Sequence, residues 1–221
     1  MSRPSQAARP PAKPTLSLGQ LRPAGPDFRL FDGEVYEGCH FEGHRFDSQD
    51  ASDSEFIDCL FEDCSLNAAS LRNGRFRDSR LTRVSAAELD CANSHWRNIE
   101  FSDVRLGAWE WHGARMDRVA VSGGKIDFIN LRGAVIGDLT LSDCVIGELD
   151  LSGATARRLS LAGCRVERLV VDKATLSGVD LRGAEISVIQ GIDSLRGTLI
   201  SRDQLYDLAP ALAAHLGVSV L

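Results

Sequence analysis

The sequence predicts an all-β solenoid: a right-handed quadrilateral β-helix of about eight coils, 20 residues each, with a short C-terminal helical module. Three observations carry that prediction. The first is a five-residue register. From Phe31, Tyr36, Phe41 and Phe46 through to Leu176, Leu181 and Ile186, all 32 positions at this spacing are apolar, without a frame shift. With 43% of the chain hydrophobic, chance gives such a run with a probability on the order of 10⁻¹². The second is a further inward phase two residues earlier, from Trp109 to Ile189. It alternates bulky (Trp109, Val119, Ile129, Leu139, Leu149) with small (Ala114, Gly124, Ala134, Cys144, Ala154). The third is glycine placement: of 15 glycines within 31–190, ten, among them Gly33, Gly113 and Gly183, fall two residues after the central apolar position.

Fifth residues scatter around a helix and alternate between the faces of a strand, so neither element explains the register. Two inward side chains two residues apart do describe one short extended side. A phase that collects glycine describes the corner after it, where positive φ is needed. The size alternation has a ten-residue period, which keeps each stacked column uniform only if the coil has an even number of sides. Ala114, Ala134, Ala154 and Ala174 recur every 20 residues, which selects four.

Read in order, residues 1–26 carry most of the prolines and the bases Arg3, Arg9, Lys13 and Arg22, with no apolar period, and are expected as a disordered basic tail. Leucines between Leu16 and Leu21 are expected to lie over the open end of the first coil. Residues 27–190 form the β-helix. At 191 the register fails. Ser201 with Gln204 reads as a capping box, Leu205, Leu208, Leu212 and Leu216 as an apolar stripe, and Gly217 as a helix stop. Pro210 predicts a kink or two short helices, and Val218 to Leu221 read as extended. Residues 191–221 are thus the capping module.

Stretches such as DLSGATARRLSLAGCRVERL (150–169) and GVDLRGAEI (178–186) resemble the pentapeptide-repeat family, with loose consensus A(D/N)LXX, and the resemblance covers about 31–190. It implies a β-helix and no enzymatic activity. Similar members include the bacterial fluoroquinolone-resistance proteins that bind DNA gyrase by mimicking duplex DNA. The resemblance therefore implies DNA gyrase or another DNA-binding protein as partner, with no direct binding of nucleic acid, and a homodimer through the C-terminal module. The alternative is a general protein-interaction scaffold.

Charge is unevenly placed. Residues 31–70 hold eleven acids against Arg45 alone, whereas 71–190 hold 16 acids and 17 bases. Neighbours 20 apart sit at strand spacing, so Glu55 meets Arg75 and Asp63 meets Arg83 across coils. That leaves Asp32, Glu37, Glu42 and Asp47, which share one outward phase on the four sides of the first coil and form the candidate partner-binding ring. A solvated end that blocks aggregation gives the same pattern.

The remaining chemistry is sparse. His44 stacks over Cys64 and Cys39 over Cys59, but on different sides, and the spacing matches no zinc pattern. All six cysteines occupy inward phases, which fits small core residues in a reducing cytoplasm. Trp96, Trp109 and Trp111 read as core, with Gly113, Ala114, Gly123 and Gly124 making room. Neither metal nor cofactor is implied. No apolar run reaches ~18 residues, and the N-terminus lacks the apolar core of a signal peptide.

Overall fold

Residues 9–219 are described in a computed structural model. They form the right-handed four-sided β-helix, winding about nine turns. Every pairing is parallel, and from Val35 to Gln190 the partner on the next coil is the residue 20 further on. One side reads Tyr36, Phe56, Phe76, Trp96, Met116, Ile136, Ala156 and Leu176 in succession. Coil count exceeds eight because a partial turn is added at each end. Arg22–Pro23 pairs with Cys39–His40 ahead of the first full coil, and Thr198–Leu199 pairs with Val179–Asp180 after the last, where the spacing shortens to 19.

The core is a stack of like residues. Tyr36, Phe56, Phe76 and Trp96 pile ring on ring, with centroids 4.9, 4.6 and 3.8 Å apart. Trp109 and Trp111 stack on each other at 3.7 Å and are wholly buried. Because adjacent coils are separated by only ~4.8 Å, a flat ring above a flat ring fills a column with little void. Gly124 does not make room for these rings as expected. A Cβ built there would lie 2.2 Å from the Val104 carbonyl oxygen, so its missing side chain lets two backbones meet.

Corners are built by more than glycine. Among the described residues fourteen non-glycine residues have positive φ, all at the glycine phase: Asp53, Asp58, Asn73 and Asn98 are examples, with φ of 52–59°. Asn and Asp tolerate the left-handed region better than most residues, which is why they dominate here. Some of these corners, at Asn98, Asp103, Arg118 and Gly123, lie inside long strands. His95–Glu110 and Arg115–Asn130 run as continuous strands around them and pair over thirteen positions. Arg132 points outward, as the register demands, with its Nε 2.6 Å from Asp150.

Both ends are covered. Phe28 packs on Tyr36 and Phe41, Leu30 is buried, and Gly25 O accepts from His44 Nε2 at 2.8 Å. The expected tail, in its described part 9–26, is laid against the rod: Arg22 and Ala24 donate their amides to Gly38 and His40 carbonyls at 2.7 and 2.8 Å. Leucines of 16–21 lie partly buried rather than over the open end, and residues 24–30 form that cover instead. At the other end the capping box is formed, and Gln204 Nε2 donates to Leu181 O and Ala184 O at 2.7 and 2.9 Å. Pro210 does not split the helix, which runs unbroken from Arg202 to His215. The carbonyl it leaves without a helical donor is that of Tyr206, a residue 75% exposed. Val218 and Ser219 follow outside any helix or strand, and the end of the expected extended tail lies outside the described residues.

Candidate functional site

At the acidic end the rod leaves a cluster of carboxylates without ion-pair partners. Asp32, Glu37 and Glu42 are exposed, and among the described residues no base lies within ion-pair distance of them, nor of Asp53 and Asp58 on the next coil. Further along, most carboxylates have a base within ion-pair distance. Arg75 reaches Glu55 at 2.7 Å, and Arg83 reaches both Asp63 and Glu62 at 2.7 Å, as the 20-residue spacing predicts for the first two pairs. The guanidinium between them lowers the Asp63 and Glu62 carboxyls below their usual range.

Asp47 departs from its ring. It is half-buried, and it accepts from Ser65 Oγ, from the Asn67 amide at 3.0 Å and from Arg45 at 3.2 Å. These bonds, the Ser65 hydroxyl foremost, hold its carboxyl below the usual range. Asp47 therefore ties one coil to the next, and three carboxylates of the expected four remain facing solvent.

One surface was not singled out from sequence. On the side whose middle column reads Arg75, His95, Arg115, with Arg77, Arg97 and Arg157 on its flank, a shallow hollow of about 440 Å³ is lined by His95, Arg97, Arg115, Asp117, Gly137 and Arg157. Burial, then the charges of Arg115 and Arg75, push the His95 imidazole below its ordinary value, so it stays neutral near pH 7. Arg115 and Arg157 have no acidic partner within ion-pair distance among the described residues. Reading outward residues in columns of 20 would have exposed this patch.

A family model for the pentapeptide repeat region matches residues 35–111, and the same register and the same 20-residue ladder continue unbroken to Ile186. The chain therefore carries a pentapeptide repeat region. Solved structures similar to it include that of trypsin-treated QnrB1, a plasmid-mediated fluoroquinolone resistance protein, at 21% identity over 90% of this chain and 95% of that one, with a TM-score of 0.29. Full-length QnrB1 aligns at 21% identity over 86% and 97%, with a TM-score of 0.29. HetL of the cyanobacterium Nostoc, a pentapeptide repeat protein involved in heterocyst differentiation regulation, aligns at 15% identity over 79% and 91%, with a TM-score of 0.38. No curated protein matches in sequence.

At the far end of this pentapeptide-repeat rod the leucine stripe divides. Leu208 and Leu212 are partly buried against the last coil, whereas Leu205 is 48% and Leu216 75% exposed, beside Tyr206. Between helix and coil lies a cleft of about 490 Å³, floored by Leu181, Ala184, Ile186 and Ile189 and edged by Asp203 and Asp207.

Inward chemistry is committed to structure. His44 is bonded to the Gly25 carbonyl, the Cys64 thiol donates to Phe41 O at 3.2 Å, and the Cys59 thiol to Tyr36 O at 3.3 Å. Burial pushes the Cys59 and Cys64 thiols up to about 12 and about 11, which leaves them protonated and poor ligands or nucleophiles near neutral pH. Among the described residues no group of three His, Cys, Asp or Glu side chains converges on a metal-sized site, and no helix is long and apolar enough to cross a membrane.

Proposed function

We propose that this protein is a non-catalytic binding rod whose acidic end, Asp32, Glu37 and Glu42 with Asp53 and Asp58 behind them, occupies a basic DNA-binding surface on DNA gyrase or another DNA-handling protein. One observation carries the reading: Asp32, Glu37, Glu42, Asp53 and Asp58 on the first two coils have no base within ion-pair distance among the described residues, whereas most carboxylates of 71–190 have one, as Glu100 has Arg80, Asp138 has Arg158 and Asp150 has Arg132. Carboxylates spaced on a rod of duplex-like width displace the same counterions from Lys and Arg that phosphates do. The exposed Leu205, Tyr206 and Leu216 support a homodimer through the C-terminal module, which places the acidic ends at the two far tips.

The test is gyrase supercoiling with wild type and with D32N/E37Q/E42Q, leaving Asp47 in place because it holds two coils together. Inhibition that is lost in the triple variant and fades between 50 and 200 mM salt supports the reading. Supercoiling that is unaffected by excess wild type removes it. A second reading, a protein scaffold with no topoisomerase role, is favoured by the arginine-rich side, which a basic DNA channel would repel. Inhibition that survives the triple substitution moves the contact to that side.

A further inference from the structure

Among the described residues, two side chains of the rod hold residues 9–15 of the tail. The Ala12 amide donates to Asp138 Oδ1 at 2.7 Å. The Thr15 amide donates to Asn98 Oδ1 at 2.7 Å, and Asn98 Nδ2 returns a bond to Thr15 O at 3.0 Å. Asn98 and Asp138 stand on one corner of the rod, two coils apart, and are 7% and 2% exposed. Two coils span ~9.6 Å at strand spacing. Three residues of polyproline II span ~9.3 Å and bring the chain back to the same edge.

The segment is made for that conformation. It reads Arg9-Pro10-Pro11-Ala12-Lys13-Pro14-Thr15. Three prolines fix φ, and the residue before each is held extended. Only Ala12, Lys13 and Thr15 of residues 10–15 retain an amide proton, and the two that lie three apart are the two the rod binds. Backbone recognition of this kind does not depend on the ligand's side chains. No residue of 9–21 is buried, so the strap is cheap to lift. Between the two acceptors the Nε–H of Arg118 is buried with no partner among the described residues, a donor that this strap leaves unused.

We propose that the corner through Asn98, Arg118 and Asp138 is a polyproline II-binding track. The chain's own residues 10–15 fill it at rest. Once they lift, it receives an extended proline-rich segment of a partner protein, and a ligand carbonyl takes the Arg118 donor. The strap acts as a tethered competitor.

The experiment frees the track without touching it. In the full chain, Ala12→Pro with Thr15→Pro removes both amide donors from the strap while Asn98 and Asp138 stay. A fluorescein-labelled synthetic peptide with the sequence of residues 9–18 is titrated by anisotropy. At least tenfold tighter binding to A12P/T15P than to wild type is expected, lost again when Asn98→Ala is added and lost for a peptide whose prolines are alanines. Equal affinity for wild type and A12P/T15P, no binding to either, or equal binding of the proline-free peptide each overturns the proposal. Circular dichroism confirms that the rod is intact in each variant.

Discussion

Gly124 and Gly133 both sit at positive φ, 104° and 64°, yet replacing them by alanine should have very different effects. At Gly133 a Cβ meets nothing within 4 Å, and an alanine already occupies the equivalent corner at Ala68, with φ 54°. Only the left-handed penalty applies there, about 1–2 kcal/mol. At Gly124 the Cβ meets the Val104 carbonyl oxygen at 2.2 Å and the Val104 amide nitrogen at 2.8 Å. These are backbone atoms inside the longest paired stretch, where Gly124 itself is paired with Val104. Relief needs a displacement of ~1 Å, and at a coil spacing of ~4.8 Å that lengthens neighbouring ladder bonds beyond hydrogen-bond range. Losing two or three of them at about 1 kcal/mol each, on top of the backbone strain, puts G124A at about 3–5 kcal/mol. Chemical denaturation followed by circular dichroism and tryptophan fluorescence measures both variants. Trp109 is paired with Ile129, on the same strand as Gly124, so the fluorescence midpoint should shift for G124A. Equal losses for the two variants would refute the claim that Gly124 is required for backbone approach rather than for its turn.

Asp47→Asn should lower stability by about 1 kcal/mol, because it weakens the bonds from Ser65 and Asn67, while Asp32→Asn should leave the denaturation midpoint unchanged. Asp47 and Asp138 are both held below the ordinary carboxylate range, the latter by Arg158 first. Their stabilisation is complete above the unfolded value near ~3.9 and is lost as pH falls through the lower folded values. Acid unfolding should therefore steepen below about pH 4, and D47N should flatten that limb in a circular dichroism titration. For the C-terminal module, Leu205→Glu with Leu216→Glu should convert a dimer to monomer in sedimentation velocity with the rod spectrum unchanged. Wild type that is already monomeric at micromolar concentration refutes the dimer.

The rod was legible because a solenoid writes its tertiary contacts as local spacing. Phe56 touches Phe76 because they are 20 apart, and the same rule places Glu55 on Arg75 and points Arg132 outward. What broke the rule was not legible. The tail has a disorder-like composition, yet its amides find acceptors 83 and 126 residues away at Asn98 and Asp138, side chains that only the wound coil brings to one corner. Corners turned by Asn and Asp were hidden because glycine alone was counted, although both residues favour the left-handed region for a known reason.

The site was legible by phase and missed by summation. Adding charge coil by coil gives 71–190 a near balance and conceals its segregation. Taken in columns of 20, Arg75, His95 and Arg115 stack on one side with Arg77, Arg97 and Arg157 beside them. On a solenoid the column is the physical unit, because side chains of one column are ~4.8 Å apart whereas those a few residues apart on the chain stand on different sides. The same logic corrects the ring. Asp32, Glu37, Glu42 and Asp47 share a phase, but each answers to its own column, and only in the fourth does Ser65, with the Asn67 amide, wait on the next coil to take the charge. The proposed partner-binding charge is drawn from what the columns leave unanswered, which includes Asp32, Glu37 and Glu42 at the acidic tip and Arg115 and Arg157 on the basic side.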